Sequence, residues 1–238
     1  ARIRLGLLSA VAYLLGRFKF NVLIRSVMRI SHLFILLAAS AMLTACDFLD
    51  EYNPNSVTVG NYYTSEEDIV ASLNGVYTSL TQSYVADNYH YFTDVRANAT
   101  VVTNSGANSG IPYQFYNYTL TEENVYVYNR YSQLYKIISR ANTLFAHLGD
   151  VSYATPSARD TYEAEARFLR ALSYYWLVTE WGDVPLVLKV LESTEEVRAN
   201  NYRRPKAEIY QAIFDDLKYV TESPLPDVQP ASACGKVS

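Results

Sequence analysis

The stretch at residues 155–187, TPSARDTYEAEARFLRALSYYWLVTEWGDVPLV, constrains the fold of this chain more than any other. Tyr162, Ala166, Leu169, Leu172, Trp176 and Leu177 recur at three- and four-residue spacing and define one apolar helix face. Thr155 is placed to cap the start, and Pro156 to take the first helical position, where a missing N–H costs nothing. Glu163 and Arg167 stand four apart, acid first, as in a pair on the exposed side. Gly182 supplies a residue free to adopt positive φ, and Pro185 keeps the helix from resuming. Nothing in this helix is arranged for catalysis. It reads as the most deeply packed element of an α-helical protein.

Three further segments share its period. Thr64-x-x-Glu67 is a capping box, opening a helix with Ile69, Val70, Leu73, Val76, Tyr77 and Leu80 on one side and an end near Gln82. A long helix is expected over 123–148, with Tyr128, Tyr131, Leu134, Tyr135, Ile138, Ala141, Phe145 and Leu148 as its stripe and Gly149 at its end. The short link to Pro156 predicts that it packs antiparallel to the opening helix as an αα-hairpin. The last helix is expected over 206–222, with Ile209, Tyr210, Ile213, Leu217 and Val220 inward. The fold class is therefore all-α.

Charge is distributed unevenly. Residues 1–45 hold six Lys/Arg and no acid, leaving 14 bases against 24 acids in the remainder, a net of −10. An acidic body argues against a nucleic-acid surface, which needs clustered bases. Residues 1–27 read as an upstream extension and Met28 as the start. Residues 28–45 read as a signal peptide: Arg29, then an apolar run from Leu33 to Leu43. Leu43-Thr44-Ala45-Cys46 resembles a bacterial lipobox, which makes Cys46 the lipidated residue and removes the need for a membrane-spanning helix. Residues 46–63 are a tether, and 64–238 a helical domain. The second cysteine, Cys234, has no reading.

Residues 83–121 differ in kind. Aromatic and polar side chains interleave there around the Gly/Ser/Asn segment at 104–110. The chain as a whole carries 22 Tyr against 9 Phe, a bias toward rings with a polar tip. Aromatic faces stack on sugar rings, while Asn, Asp and Arg bind hydroxyls. The candidate ligand residues are Tyr89, Tyr91, Asp94, Arg96, Asn98, Tyr113 and Tyr116. The competing reading is a solvated loop whose tyrosines cover the core. Trp176 and Trp181 are assigned to core and helix-end packing. The acidic neighbours Glu66-Glu67, Glu122-Glu123, Glu195-Glu196 and Asp215-Asp216 are assigned to solvated faces and helix N-termini, because adjacent helical residues point about 100° apart. His90 and His147 lack metal or triad spacing. No catalytic residue, metal or cofactor is expected.

Several motifs fall in a recognisable order: CDFLD at 46–50, NYYTSEED at 61–68, LNGVY at 73–77, YKIISRAN at 135–142, AEARFLRA at 164–171 with Tyr174-Tyr175, and WGDVPLV at 181–187. Ile209-Tyr210, Asp216-Leu217 and Leu225-Pro226 follow. This resembles the SusD/RagB family of outer-membrane nutrient-binding lipoproteins of Bacteroidetes. The resemblance implies tetratricopeptide-like helical pairs with long irregular loops, truncated here at the C-terminus, since family members are longer. It implies a non-enzymatic, lipid-anchored outer-membrane protein, exposed at the cell surface, that captures oligosaccharides or peptides and passes them to a SusC-like TonB-dependent transporter. A helical-repeat scaffold binding only proteins or peptides is the main rival, and a surface glycan hydrolase the second.

Overall fold

Capping side chains mark where three of the helices begin. In the computed structural model, which describes residues 62–82, 84–233 and 235–238 within a unit spanning Thr58–Ser238, helix α1 covers Glu66–Leu80. Its cap is Ser65, one residue later than expected. The Asp68 carboxylate accepts from the backbone N–H groups of Thr64 (3.0 Å) and Ser65 (2.9 Å). Asp68, not Glu67, closes the box, and these bonds hold its carboxyl below the usual range. The extension 1–27, the signal segment 28–45, Cys46, the tether up to residue 61 and Cys234 lie outside the described residues. Tyr63, assigned above to the tether, stacks on His147 with ring centroids 4.1 Å apart.

The region 83–121 is broken into short turns: a π-helical turn at Tyr91–Val95, a 3-10 turn at Ala107–Gly110 and the one-turn helix α2 at Tyr113–Tyr116. Helix α3 runs Val125–His147, capped by the Asn124 side chain, which accepts from Tyr126 N and Val127 N. Helix α4 runs Ala158–Trp181. Thr155 and Pro156 do not start it. Thr155 accepts from Ala158 N in a preceding turn, and Ser157 is the cap residue. Gly182 ends it at φ 75°, as its sequence predicts. Helix α5, Thr194–Asn200, was not anticipated from periodicity; it is seven residues long, and Ser193 caps it. Helix α6 covers Lys206–Glu222, the expected span. One antiparallel bridge, Val184 with Arg204, is the β-type pairing among the described residues.

Cross-helix bonds fix the directions. Arg130 of α3 pairs with Glu180 of α4, while Asn142 of α3 meets Arg170 of α4, so these helices form the expected antiparallel hairpin. Asp183 accepts from Lys206 N, and Arg170 binds Asp216, so α6 returns antiparallel along α4. Arg140 donates to Gly75 O and Ser79 Oγ, setting α1 beside α3. The main core gathers Val76, Leu134, Ile137, Ile138, Leu169, Tyr174, Leu177, Ile209 and Ile213 from all four long helices. A second cluster joins Ile69, Leu73, Leu144, Leu148 and Ala166.

Three sequence expectations change. Tyr128, placed in the α3 stripe, is 67% exposed, because Tyr126 and Arg130 turn inward instead. The Glu163–Arg167 pair forms at 2.7 Å but not on an exposed face: Glu163 is 7% exposed, and Arg167 also reaches Asp216 at 2.9 Å, so the pair bridges α4 to α6. Asp216, assigned to a solvated face, is buried between Arg170 and Arg167. None of the helices among the described residues is long and apolar enough to cross a membrane.

Candidate functional site

The site is built around Arg130. It lies in the second turn of α3 and is 0% exposed. A buried guanidinium needs a partner for its charge and for each N–H. Nε and Nη2 donate to Glu180 Oε2 and Oε1, both at 2.6 Å, the bidentate geometry. Nη1 donates to the carbonyls of Tyr84 (3.1 Å) and Val85 (3.3 Å). The rings of Tyr89, Phe92 and Trp176 surround it, with centroids 5.0, 4.9 and 5.5 Å from its central carbon. One side chain thus ties the start of the 83–121 region to both arms of the hairpin.

Beneath that region lies a satellite core of Phe92, Val95, Phe115 and Tyr126. Phe92 and Phe115 meet edge to face at 4.9 Å. Trp181, at the end of α4, packs against both this cluster and the main core. Asn108 Nδ2 donates to the Tyr126 hydroxyl, and Asn124 Nδ2 to Ile111 O and Gln114 Oε1. Side-chain bonds therefore replace the backbone ladder that these residues lack.

Between the π-helical turn and the outer side of α4 is a cleft of about 600 Å³. Tyr89, Phe92, Thr93, Arg96 and Ala97 form one wall; Tyr175, Trp176, Thr179 and Glu180 form the other; Phe115, Tyr118 and Leu120 close the end. A smaller space of about 190 Å³, sharing Phe92, Arg96, Phe115, Leu120 and Glu180, adjoins it. Tyr118 has φ 58°, a left-handed conformation costly for a bulky side chain. Its hydroxyl donates to Arg96 O at 2.7 Å, which holds the strained residue in place and leaves its ring 67% exposed.

Of the sequence candidates, Tyr89 and Arg96 line this cleft. Tyr91 does not: its ring packs on Phe115 and Tyr126 at 5.7 and 5.5 Å, and burial pushes its hydroxyl pKa up. Tyr113 and Tyr116 pack on one another at 5.6 Å, away from the lining. Asp94 and Asn98 are exposed outside it, and Asn98 sits at φ 57° as a turn residue. Sequence reasoning left Tyr118, Tyr175, Trp176, Thr179 and Glu180 off the candidate set. The legible signal was Tyr175, an aromatic lying off the apolar stripe of α4. A second groove, between α3 and the 185–201 segment, is lined by Tyr131, Tyr135, Pro185, Val187, Leu191, Val197, Asn200 and Asn201 and is smaller, about 220 Å³. Among the described residues no group of His, Cys, Asp and Glu is placed to hold a metal ion.

Comparison with known proteins gives one consistent match. Residues 47–230 fit the model of a family described as "Starch-binding associating with outer membrane", SusD-like. SusD-like protein P2 of Formosa agariphila is 28% identical over 188 residues, covering 79% of this chain and 36% of that protein. SusD-like protein P25 of the same organism is 25% identical, covering 81% and 37%. A solved structure named as a laminarin-binding SusD-like protein superposes with a TM-score of 0.63 at 28% identity, over 74% of this chain and 38% of that one. The chain thus spans little more than a third of the length of these relatives.

Proposed function

Since the chain belongs to the SusD-like family, we propose that it contributes a glycan-capture site to an outer-membrane binding protein, and that the cleft beside Arg130 is that site. The observation that carries this reading is the lining itself. Tyr89, Tyr118, Tyr175 and Trp176 present rings, while Thr93, Thr179 and Arg96 present hydrogen-bonding groups, all around one open space. Sugar recognition needs that pairing of apolar faces with convergent polar groups. The laminarin-binding relative supports a glycan ligand. Glycoside hydrolysis needs two carboxylates flanking the bond. Glu180 is the one carboxylate lining the cleft among the described residues, and both of its oxygens are engaged by Arg130. That favours capture over cleavage.

In this proposal residues 28–45 direct export, a lipid on Cys46 anchors the protein to the outer membrane, and the bound glycan passes to a SusC-like TonB-dependent transporter. Trp176 supplies the test. Titrating the purified chain with laminari- and malto-oligosaccharides should change tryptophan emission saturably. Trp176→Ala should weaken binding by about tenfold or more, the loss expected for an aromatic anchor in a pocket. No saturable change with any glycan, or an unaltered affinity in Trp176→Ala, would remove the cleft as the site. Saturable binding of peptides alone would favour the protein-scaffold reading instead.

A further inference from the structure

Charge in the cleft is not balanced. Its lining holds two ionisable side chains of opposite sign, Arg96 and Glu180. The charge of Glu180 is taken up by Arg130 through two bonds of 2.6 Å, and its side chain is only 9% exposed. That pair is neutral as a unit and directs no unused donor or acceptor of comparable strength toward a ligand. Arg96 is different. It is exposed, it lines both the main cleft and the adjoining space, and its guanidinium has no ion pair or side-chain hydrogen bond among the described residues. Its backbone is fixed from the other side by the Tyr118 hydroxyl. Asp94, two residues earlier, and Asp87 are exposed outside the lining. A site whose one uncompensated charge is a guanidinium, flanked by the rings of Tyr89, Tyr118 and Trp176, matches a ligand with a ring to stack and a carboxylate to place.

We infer that the cleft takes an acidic oligosaccharide, with a uronate carboxylate on the Arg96 guanidinium and a neighbouring sugar ring against the aromatic side chains. This rests on the glycan reading of the same cleft and narrows it from sugars in general to carboxylated ones. Arg96 is then a specificity residue, while Arg130 positions: it holds the floor and silences Glu180, which would otherwise repel the ligand's carboxylate.

The experiment compares trigalacturonate, laminaritriose and triglutamate on the full chain purified in mild detergent, by calorimetry in low and high salt. Trigalacturonate should bind about five- to tenfold more tightly than laminaritriose in low salt, the range for a charge pair near solvent. That margin should shrink in 0.5 M NaCl, where the screening length is only about 4 Å. Arg96→Gln should lower trigalacturonate affinity at least fivefold and laminaritriose affinity less, and Arg96→Lys should restore part of the margin. Equal affinities for the two sugars in the unaltered chain, or a margin that survives Arg96→Gln, overturns the inference and leaves the glycan reading standing. Triglutamate binding as tightly as trigalacturonate overturns it in favour of an acidic peptide. Binding of none of the three overturns the inference and the glycan reading together.

Discussion

Replacing Arg130 with Met should be among the most damaging single changes available to this chain. Met keeps most of the side-chain length, so little cavity forms. The cost is electrostatic. Glu180 would keep a nearly buried carboxylate with neither of its 2.6 Å partners, and breaking one side of a buried pair costs about 3–5 kcal/mol. The carbonyls of Tyr84 and Val85 lose their donor, adding about 1 kcal/mol between them if water reaches one and more if it does not. The three surrounding rings lose a cation, which adds about 0.5–1 kcal/mol. The expected total is about 5 kcal/mol, a drop of roughly 10–20 °C in Tm for a domain of this size. Urea unfolding followed by far-UV circular dichroism measures it. The second arm is Arg130→Met with Glu180→Leu. Removing the orphaned acid should return about 3 kcal/mol, leaving only the carbonyl and ring terms. A single variant costing under about 1.5 kcal/mol would refute the claim that this pair pins the cleft. So would a double variant no more stable than the single one.

Three further outcomes follow from other parts of the chain. Burial raises the carboxyl pKa of Glu165 above 4.5, against the lowering pull of the Tyr77 hydroxyl and Lys236. The folded state therefore holds that proton more tightly than the unfolded chain does, and the stability it confers is present below pH 4.5 and lost as pH rises through the folded value. Glu165→Gln should accordingly be more stable than the unaltered chain at pH 7 and equal to it near pH 4, by thermal melts across that range; a variant less stable at pH 7 would contradict the assignment. Tyr118→Gly should relieve the left-handed strain, raise stability by about 1 kcal/mol after the hydroxyl bond to Arg96 is discounted, and weaken glycan binding at the same time; a loss of stability would show that the bond outweighs the strain. Cys46→Ala should release the protein from the membrane fraction, and continued retention would count against the lipid anchor.

The four long helices were legible because burial follows the 3.6-residue period, and α6 matched residue for residue. Starts were less legible: Ser65 takes the cap position of α1 that Thr64 was equally suited to by type, and α4 begins after Ser157, whose side chain makes no capping bond. The polar interior was not legible at all. Arg130, Asn142, Glu163, Glu165, Arg170 and Asp216 are buried because each finds hydrogen-bond or ion-pair partners on a neighbouring turn, helix or segment, and a scan for apolar side chains assigns every such residue to the surface. The same blindness hid half of the cleft. The loop wall could be read from interleaved aromatic and polar residues. The α4 wall depends on which neighbours lie opposite Tyr175 and Glu180, and local sequence does not contain that information.

Most of the polar residues in the family motifs are occupied inside the scaffold, and the bonding shows how. Arg140 of YKIISRAN is occupied by Gly75 O and Ser79 Oγ. Asn142 accepts from Arg170 and donates to the carbonyls of Val187 and Lys189. Arg170 is held by both oxygens of Asp216, and the Tyr174 hydroxyl both donates to and accepts from Val187. These side chains join α3, α4, α6 and the segment after Gly182 into one polar layer, and little of their hydrogen-bonding capacity remains for a ligand. Altering any one strands its partners, so the layer resists change. Arg96, Tyr89 and Tyr175 lie on the exposed walls of the cleft, and changing them leaves the helical layer intact. If the cleft is the ligand site proposed above, ligand preference can be altered at these three positions without disturbing the polar layer.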